Sequence, residues 1–262
     1  MSGSSEPGRI TASRIVALLD AFTREQPAPS LSEISRSSGL AVATTHRLLA
    51  ELVQSGILQR REDSRYQVGL KLWKIGALAP GYRDLRTLAL PFMEDLYAAT
   101  RQNVQLAVRD DNRVLYLEKL SGAGSVSSIT EVAGRLPLHA TGVGKVILAF
   151  SEPELLDRII EEGLTRYTSH TMTDPKILAK SLRQVRKTQL GYSREEMTIG
   201  AASVAAPIFG PDMVLEGSLA VVVPSSTSLP HLAGAVRTAA NGITRELTQQ
   251  NIRDFPLSGN DH

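Results

Sequence analysis

The chain contains no cysteine. That excludes a disulfide scaffold, thiolate-bound zinc or iron–sulfur clusters and a cysteine nucleophile, and it fits a reducing interior. No uninterrupted apolar run reaches the roughly 18 residues of a membrane-crossing helix. The opening MSGSSEPG has neither the basic nor the apolar segment of a secretory leader, so a soluble, cytoplasmic chain is expected. Enzyme signals are equally sparse. There is no G-x-S-x-G elbow, and His139, His170 and His231 lack metal-ligand spacing. Neither catalysis nor a metal or cofactor is expected.

What is present is ordinary globular material. Hydrophobic residues make up 42% and charged residues 21% of 262 positions, which excludes wholesale disorder and suits one large domain or two small ones. Net charge is only +2, but it is uneven: residues 1–80 carry 10 Lys/Arg against 7 Asp/Glu, and residues 81–262 carry 19 against 20. A modestly basic head on a near-neutral body is compatible with a nucleic-acid-binding module, or with chance scatter.

Sequence pattern decides for the first. Ile15, Leu18, Leu19 and Phe22 fall on one helical face, and the stretch Gln26-Pro27-Ala28-Pro29 breaks the run. Ser30 and Glu33 have the spacing of a capping box, opening a short helix that Gly39 is placed to end. Thr45, Leu48, Leu49, Leu52 and Val53 then form the inward stripe of a longer helix closed by Gly56. Ile57-Leu58 and Tyr66-Gln67-Val68 flank a charged tip, the pattern of a β-hairpin. Helix, short helix, turn, longer helix and hairpin make a winged helix-turn-helix.

The recognition helix is Ala41–Ser55, with Ala43, Thr44 and Arg47 on its outer face near the N-terminal end. Thr44, Thr45, His46 and Arg47 are the expected DNA-contacting set there, although Thr45 also belongs to the inward stripe. Arg47 can pair with a guanine edge or a phosphate, and Thr44 can bond a phosphate or touch a thymine methyl. His46 either meets a phosphate or hydrogen-bonds within the module. On the wing, Arg60, Arg61 and Arg65 would neutralise phosphates or reach the minor groove. A helix over 69–80, ended by Pro80-Gly81, cannot bury Trp73 by itself. It is expected to pack, with Ile75, on a second chain or on the following domain.

Beyond residue 81 helices and strands interleave, which gives an α+β or mixed-sheet body. A helix spans 82–101 around Pro91. Strands are expected at 104–108, 114–120, 125–132, 203–209 and 214–223, and a last helix over 229–250. Ser151-Glu152-Pro153-Glu154 reads as a capping box, and Thr173-Asp174-Pro175 opens a further helix. In the stretch RLPLHATGVGKVIL (135–148) a strand leads through a glycine-containing loop into a helix, whose exposed amides suit an anion such as a carboxylate. It is not a nucleotide P-loop, which needs glycine where His139 stands and Ser or Thr where Val146 stands. Glu195 and Glu196 are adjacent, so in a strand they would face opposite ways and share no site.

Gly39-Leu40 through Thr44, His46-Arg47-Leu48-Leu49, the stretch Arg135–Ile147 and Gly191-Tyr192-Ser193 together resemble the IclR family of bacterial transcription regulators, over about residues 10–250. The resemblance implies a flexible tail (1–9), a winged helix-turn-helix (10–68), a linker helix (69–80), a GAF-like effector-binding domain (81–250) and a flexible tail (251–262). It implies partners too: operator double-stranded DNA, a small organic-acid effector, and a second copy in a dimer or dimer of dimers. The Gly142 and Val143 amides would hold the effector carboxylate. The pocket would draw on the strand containing Ser128, on Glu195 or Glu196, and on Ser203, Ala220 and Val222. Two departures stand out. Val42-Ala43 replace a frequent Lys-Ser pair, shifting operator contacts toward Arg47 and the wing. Ala220 and Val222 replace small polar residues, favouring an acid with an apolar body. The segment around Glu195 is also about two residues shorter than is usual in the family. The competing readings are a ligand-binding protein or enzyme whose head contacts only protein, and an architectural DNA binder without a responsive pocket.

Overall fold

The computed structural model describes residues 11–23, 26–76, 80–122 and 132–254. The expected terminal tail 1–9, residues 125–131 of one expected strand (Ser128 among them) and residues 255–262 lie outside that set. The chain divides into two compact units between Arg83 and Asp84.

The first unit contains α1 (Thr11–Leu19), α2 (Leu31–Ser38), α3 (Val42–Gln54), the hairpin β1 (Leu58–Arg60) and β2 (Tyr66–Val68), and α4 (Leu70–Gly76). The capping box forms: the Ser30 hydroxyl accepts from the Glu33 amide, and the Glu33 carboxylate accepts from the Ser30 amide at 2.7 Å. Gly39 ends α2 in the left-handed region at φ 69°, a conformation that carries little steric cost only without a Cβ. Leu18, Ile34, Leu48, Leu49, Leu52, Leu58 and Tyr66 form one buried cluster drawn from α1, α2, α3 and both strands. Of the expected linker helix over 69–80, the described part is α4, and residues 77–79 lie outside the described residues.

The second unit contains α5 (Pro80–Thr100, entering from the boundary), β3 (Asn103–Asp110), β4 (Arg113–Leu120), β5 (Arg135–Pro137), α6 (Gly142–Phe150), α7 (Pro153–Glu162), α8 (Pro175–Thr188), β6 (Gly191–Arg194), β7 (Ala201–Phe209), a 3-10 turn (Pro211–Met213), β8 (Leu215–Pro224) and α9 (Pro230–Asp254). Its sheet has the order β5-β4-β3-β8-β7-β6, and every pairing is antiparallel. The body is therefore α+β. Strand alternation sorts the side chains into two layers. Val104, Leu106, Val108, Val204, Ala206, Leu219, Val221 and Val223 pack with Met93, Val236 and Ile243 of α5 and α9. Ala107, Ala205 and Ala220 pack with Val143, Val146 and Ile147 of α6 and Leu178 and Leu182 of α8 on the other face.

Two local expectations change. Ser151 does not open α7 but closes α6, its hydroxyl donating back to the Ile147 carbonyl at 2.8 Å, and Glu152 holds the N-cap position with Pro153 first in α7. The Glu152 carboxylate is drawn instead to Arg109 at 2.7 Å and Arg158 at 3.1 Å; the Arg109 hydrogen bond leads in pulling its pKa down to about 2. The last helix also continues past Gln250 to Asp254.

Candidate DNA-reading helix and ligand pocket

In the first unit, α3 buries Thr45, Leu48, Leu49 and Leu52 and exposes Val42, Ala43, His46, Arg47 and Glu51, with Thr44 half-buried. Thr45 is thereby removed from the expected DNA-contacting set. It is fully buried, and its hydroxyl donates to the Ala41 carbonyl at 3.1 Å, back-bonding across the first turn. Arg47 pairs with Glu51 one turn on at 2.8 Å, with both side chains more than half exposed. Such a pair contributes only a few tenths of a kcal/mol and releases its arginine readily.

The wing arginines differ among themselves. Arg60 stacks over the Tyr66 ring at 6.0 Å, and Arg61 lies 3.4 Å from the exposed Asp63. Arg65 departs from the expectation of a free phosphate neutraliser. Its guanidinium donates to Glu33 at 3.0 Å and to the Ala28 carbonyl at 2.9 Å, tying the wing to the capping box. The Ser30 amide, foremost, and Arg65 hold the Glu33 carboxyl below its ordinary range. On α4, Trp73 is 67% exposed and Ile75 52%, beside exposed Val68 and Leu70. Leu70 and Trp73, three positions apart, share one face of α4, and Ile75, two positions on from Trp73, turns away from it.

In the second unit, α6 starts directly over the sheet. The Thr141 hydroxyl caps it by accepting from the Gly144 amide at 3.0 Å, and the Thr141 carbonyl accepts from Lys145 at 3.0 Å. The amides of Gly142 and Val143, first in the helix, have no intrahelical acceptor. Both residues line a small cleft, partly open to solvent. A Cβ on Gly142 would stand 2.6 Å from the Ser203 hydroxyl, so any larger residue must push that hydroxyl aside.

Of the expected pocket residues, Gly142, Val143, Ser203, Ala220 and Val222 all line this cleft. Glu195 does not. Its backbone turns left-handed at φ 55°, and its carboxylate accepts from the Gly200 amide at 2.9 Å and the Ser225 hydroxyl at 3.0 Å. Those donors, the Gly200 amide above all, hold its pKa below the usual carboxylate range, with His170 3.6 Å away. Glu196 meets Lys145 at 2.5 Å, and the Lys145 ammonium also donates to the Tyr192 carbonyl at 3.0 Å. Both side chains are nearly or fully buried, and burial pushes the Lys145 pKa down and the Glu196 pKa up. The two glutamates thus serve separate partners, one at each side of the segment 195–200.

Residues beyond those expected also line the cleft, notably Gln105, Tyr116, Ser193, Met197 and Thr198. Gln105 had a legible signal: it is the polar member of a strand whose Val104, Leu106 and Val108 face the other way. Ser193, whose hydroxyl donates to the Ala140 carbonyl at 3.1 Å, stood out only as part of the Gly191-Tyr192-Ser193 stretch, and Met197, far along the chain from α6, had no signal.

A helix-turn-helix unit with an exposed recognition helix, joined to a sheet domain with a cleft at a helix start, defines a DNA-binding regulator of transcription. Comparison with known proteins agrees. The model of the IclR helix-turn-helix domain matches residues 11–62, and that of the bacterial transcriptional regulator IclR C-terminal domain matches residues 79–245. The chain belongs to the IclR family of bacterial transcription regulators, as a sequence-specific DNA-binding protein and not an enzyme. It is 31% identical over 232 residues to the HTH-type transcriptional repressor AllR of Escherichia coli K12, covering 86% of this chain and 85% of that one. With the HTH-type transcriptional regulator KipR of Bacillus subtilis it shares 29% over 242 residues, covering 90% and 96%. A solved IclR homologue from Microbacterium hydrocarbonoxydans, complexed with 4-hydroxybenzoate, is 33% identical with a TM-score of 0.87, covering 91% of this chain and 99% of that one. Among the described residues no helix is long and apolar enough to cross a membrane.

Proposed function

We propose that this regulator is a cytoplasmic protein of two functional parts, a winged head over 10–68 and a GAF-like effector domain over 81–250 joined by the linker helix, and that a small organic acid in the cleft changes its grip on operator DNA. The observation that carries the reading is the chemistry of the cleft. Its polar end is the start of α6, where the Gly142 and Val143 amides and the helix dipole favour an anion. Its floor is apolar, Ala220 and Val222 on β8, which suits an acid with an aromatic or branched body over a two-carbon one. Ser203, beside Gly142, adds a hydroxyl donor. The Microbacterium relative, complexed with an aromatic acid, supports the same class of ligand. Titrating the full chain with benzoate and with a branched aliphatic acid, followed by calorimetry, tests this; binding of amines or cations alone contradicts it.

On DNA, Thr44, His46 and Arg47 enter the major groove while Arg60 and Arg61 meet the backbone. Arg47→Ala should cost about 1–3 kcal/mol on the preferred site and relax preference at one base position. Arg61→Ala should weaken all sequences alike and flatten the salt dependence by about one phosphate contact. Fluorescence anisotropy on specific and scrambled duplexes at several salt concentrations reads both; no change from either substitution contradicts this docking.

The head binds as part of a dimer, or of a dimer of dimers, through the exposed apolar side chains of α4, Trp73 and Ile75. Two linked heads gain effective concentration without new DNA contacts. Trp73→Ala removes the largest of these side chains, and should lower the oligomer mass in analytical ultracentrifugation and weaken operator binding together. Unchanged mass and affinity would place the interface elsewhere.

A further inference from the structure

The wing is anchored at two levels. At its base, Leu58 and Tyr66 are buried in the core of the first unit, and the Tyr66 amide donates to the Pro29 carbonyl at 3.0 Å. Above that base the strands are short, three residues each, and their pairing ends at Arg60 and Tyr66. A two-stranded hairpin is marginal by itself in water, so its direction is set by whatever it is tied to. Arg61, Glu62, Asp63 and Ser64 at the tip are exposed, and Arg65 is half-buried. Among the described residues the backbone bonds of the tip stay within it, the Arg61 amide to the Arg65 carbonyl at 2.8 Å and the Ser64 amide to the Arg61 carbonyl at 3.1 Å. The tie to the helices is the Arg65 guanidinium, whose Nη1 donates to the Glu33 carboxylate and to the Ala28 carbonyl. The Glu33 oxygen that accepts from Arg65 also accepts from the Ser30 amide at 2.7 Å. Glu33 is thus fixed on the start of α2 before it meets the wing, and its charge already compensates that of Arg65.

Resting on the reading that the wing meets the DNA backbone, we propose that Arg65 and Glu33 are positioning residues for DNA binding: the pair aims the wing so that Arg60 and Arg61 reach phosphates. A carboxylate is thereby required for DNA affinity. The sign is unusual, because an acidic group near a phosphate backbone ordinarily repels it, and removing one ordinarily strengthens binding.

The test is fluorescence anisotropy of the full chain on a duplex that the wild type selects from a random pool, over a range of salt concentrations. The variants are Arg65→Met, Glu33→Met, both together, and Arg60→Ala with Arg61→Ala; circular dichroism checks that they fold. Each phosphate contact contributes about 0.9 to the slope of log affinity against log salt. Arg60→Ala with Arg61→Ala should flatten that slope by about two contacts. Arg65→Met and Glu33→Met should each flatten it too and lower affinity at moderate salt by about tenfold. The two together should bind no worse than either alone, since they break one tie. Glu33→Gln, which keeps the capping box and offers Arg65 a neutral acceptor, should fall between wild type and Glu33→Met. Stronger binding by Glu33→Met would mark Arg65 as a phosphate contact freed of its competitor, and would overturn the proposal. So would wild-type binding by Arg65→Met and Glu33→Met, or weaker binding at an unchanged slope, which is what lost stability alone produces. An unchanged slope in the Arg60→Ala, Arg61→Ala chain would instead take the wing off the backbone, and the positioning role would fall with that reading.

Discussion

Gly142→Pro is expected to abolish the response to the effector while leaving the fold and DNA binding intact. The backbone accepts the change. Position 142 is the first of α6, where proline is favoured, and Thr141 before it is extended at φ −120° and ψ 151°, the conformation a residue preceding proline prefers. The loss is chemical. Proline deletes one of the two amides proposed to hold the carboxylate, and a hydrogen bond to a charged group contributes about 1.5–3 kcal/mol, so affinity should fall roughly ten- to a hundredfold. The ring also brings carbon to where a Cβ stands 2.6 Å from the Ser203 hydroxyl, displacing the neighbouring donor. Effector titration alongside operator binding separates the effects. A variant that binds DNA normally and still responds at wild-type concentrations would show that the anion sits elsewhere.

Lys145→Met should strongly destabilise the second unit. Lys145 is fully buried, one turn into α6, and its ammonium bridges Glu196 and the Tyr192 carbonyl. Removing it strands the Glu196 carboxylate, whose second oxygen is already buried without a hydrogen bond among the described residues. Leaving one member of a buried pair uncompensated costs about 3–5 kcal/mol. Replacing both members, Lys145→Met with Glu196→Leu, should recover most of that loss, because the desolvation of the pair disappears with it. Urea unfolding of the two variants measures the difference. A single variant within 1 kcal/mol of wild type would mean that the pair contributes little.

The head was the more legible half because its signals are local. The Ser30–Glu33 capping box, Gly39 and the stripe from Leu48 to Leu52 lie within 25 positions of one another, and each forms as the spacing requires. Thr45 shows where that reading needed completing: a threonine on the inward stripe satisfies its hydroxyl on its own helix and leaves nothing for DNA. Arg65 failed for a longer-range reason, since its partner Glu33 lies 32 residues earlier and only the folded wing brings them together. In the body, the start of α6 was visible as glycines ahead of an apolar run, but the rest of the cleft is made by register. Ser193, Ser203 and Val222 form one row across three strands, and no local pattern announces that alignment. Glu195 sat next to a residue that points inward, yet a left-handed turn at the end of β6 sends its carboxylate to Gly200 and Ser225.

The central claim is that acid and operator binding are coupled, and thermodynamic linkage gives the direct test. A ligand alters DNA affinity only by binding two states of the protein unequally, and the coupling is reciprocal. The measurement is calorimetric titration of benzoate into the full chain alone and into the chain saturated with a duplex it selects from a random pool. The account predicts affinities that differ by about fivefold or more, with an equal ratio in duplex affinity measured with and without the acid. Identical acid affinities in the two titrations would contradict it.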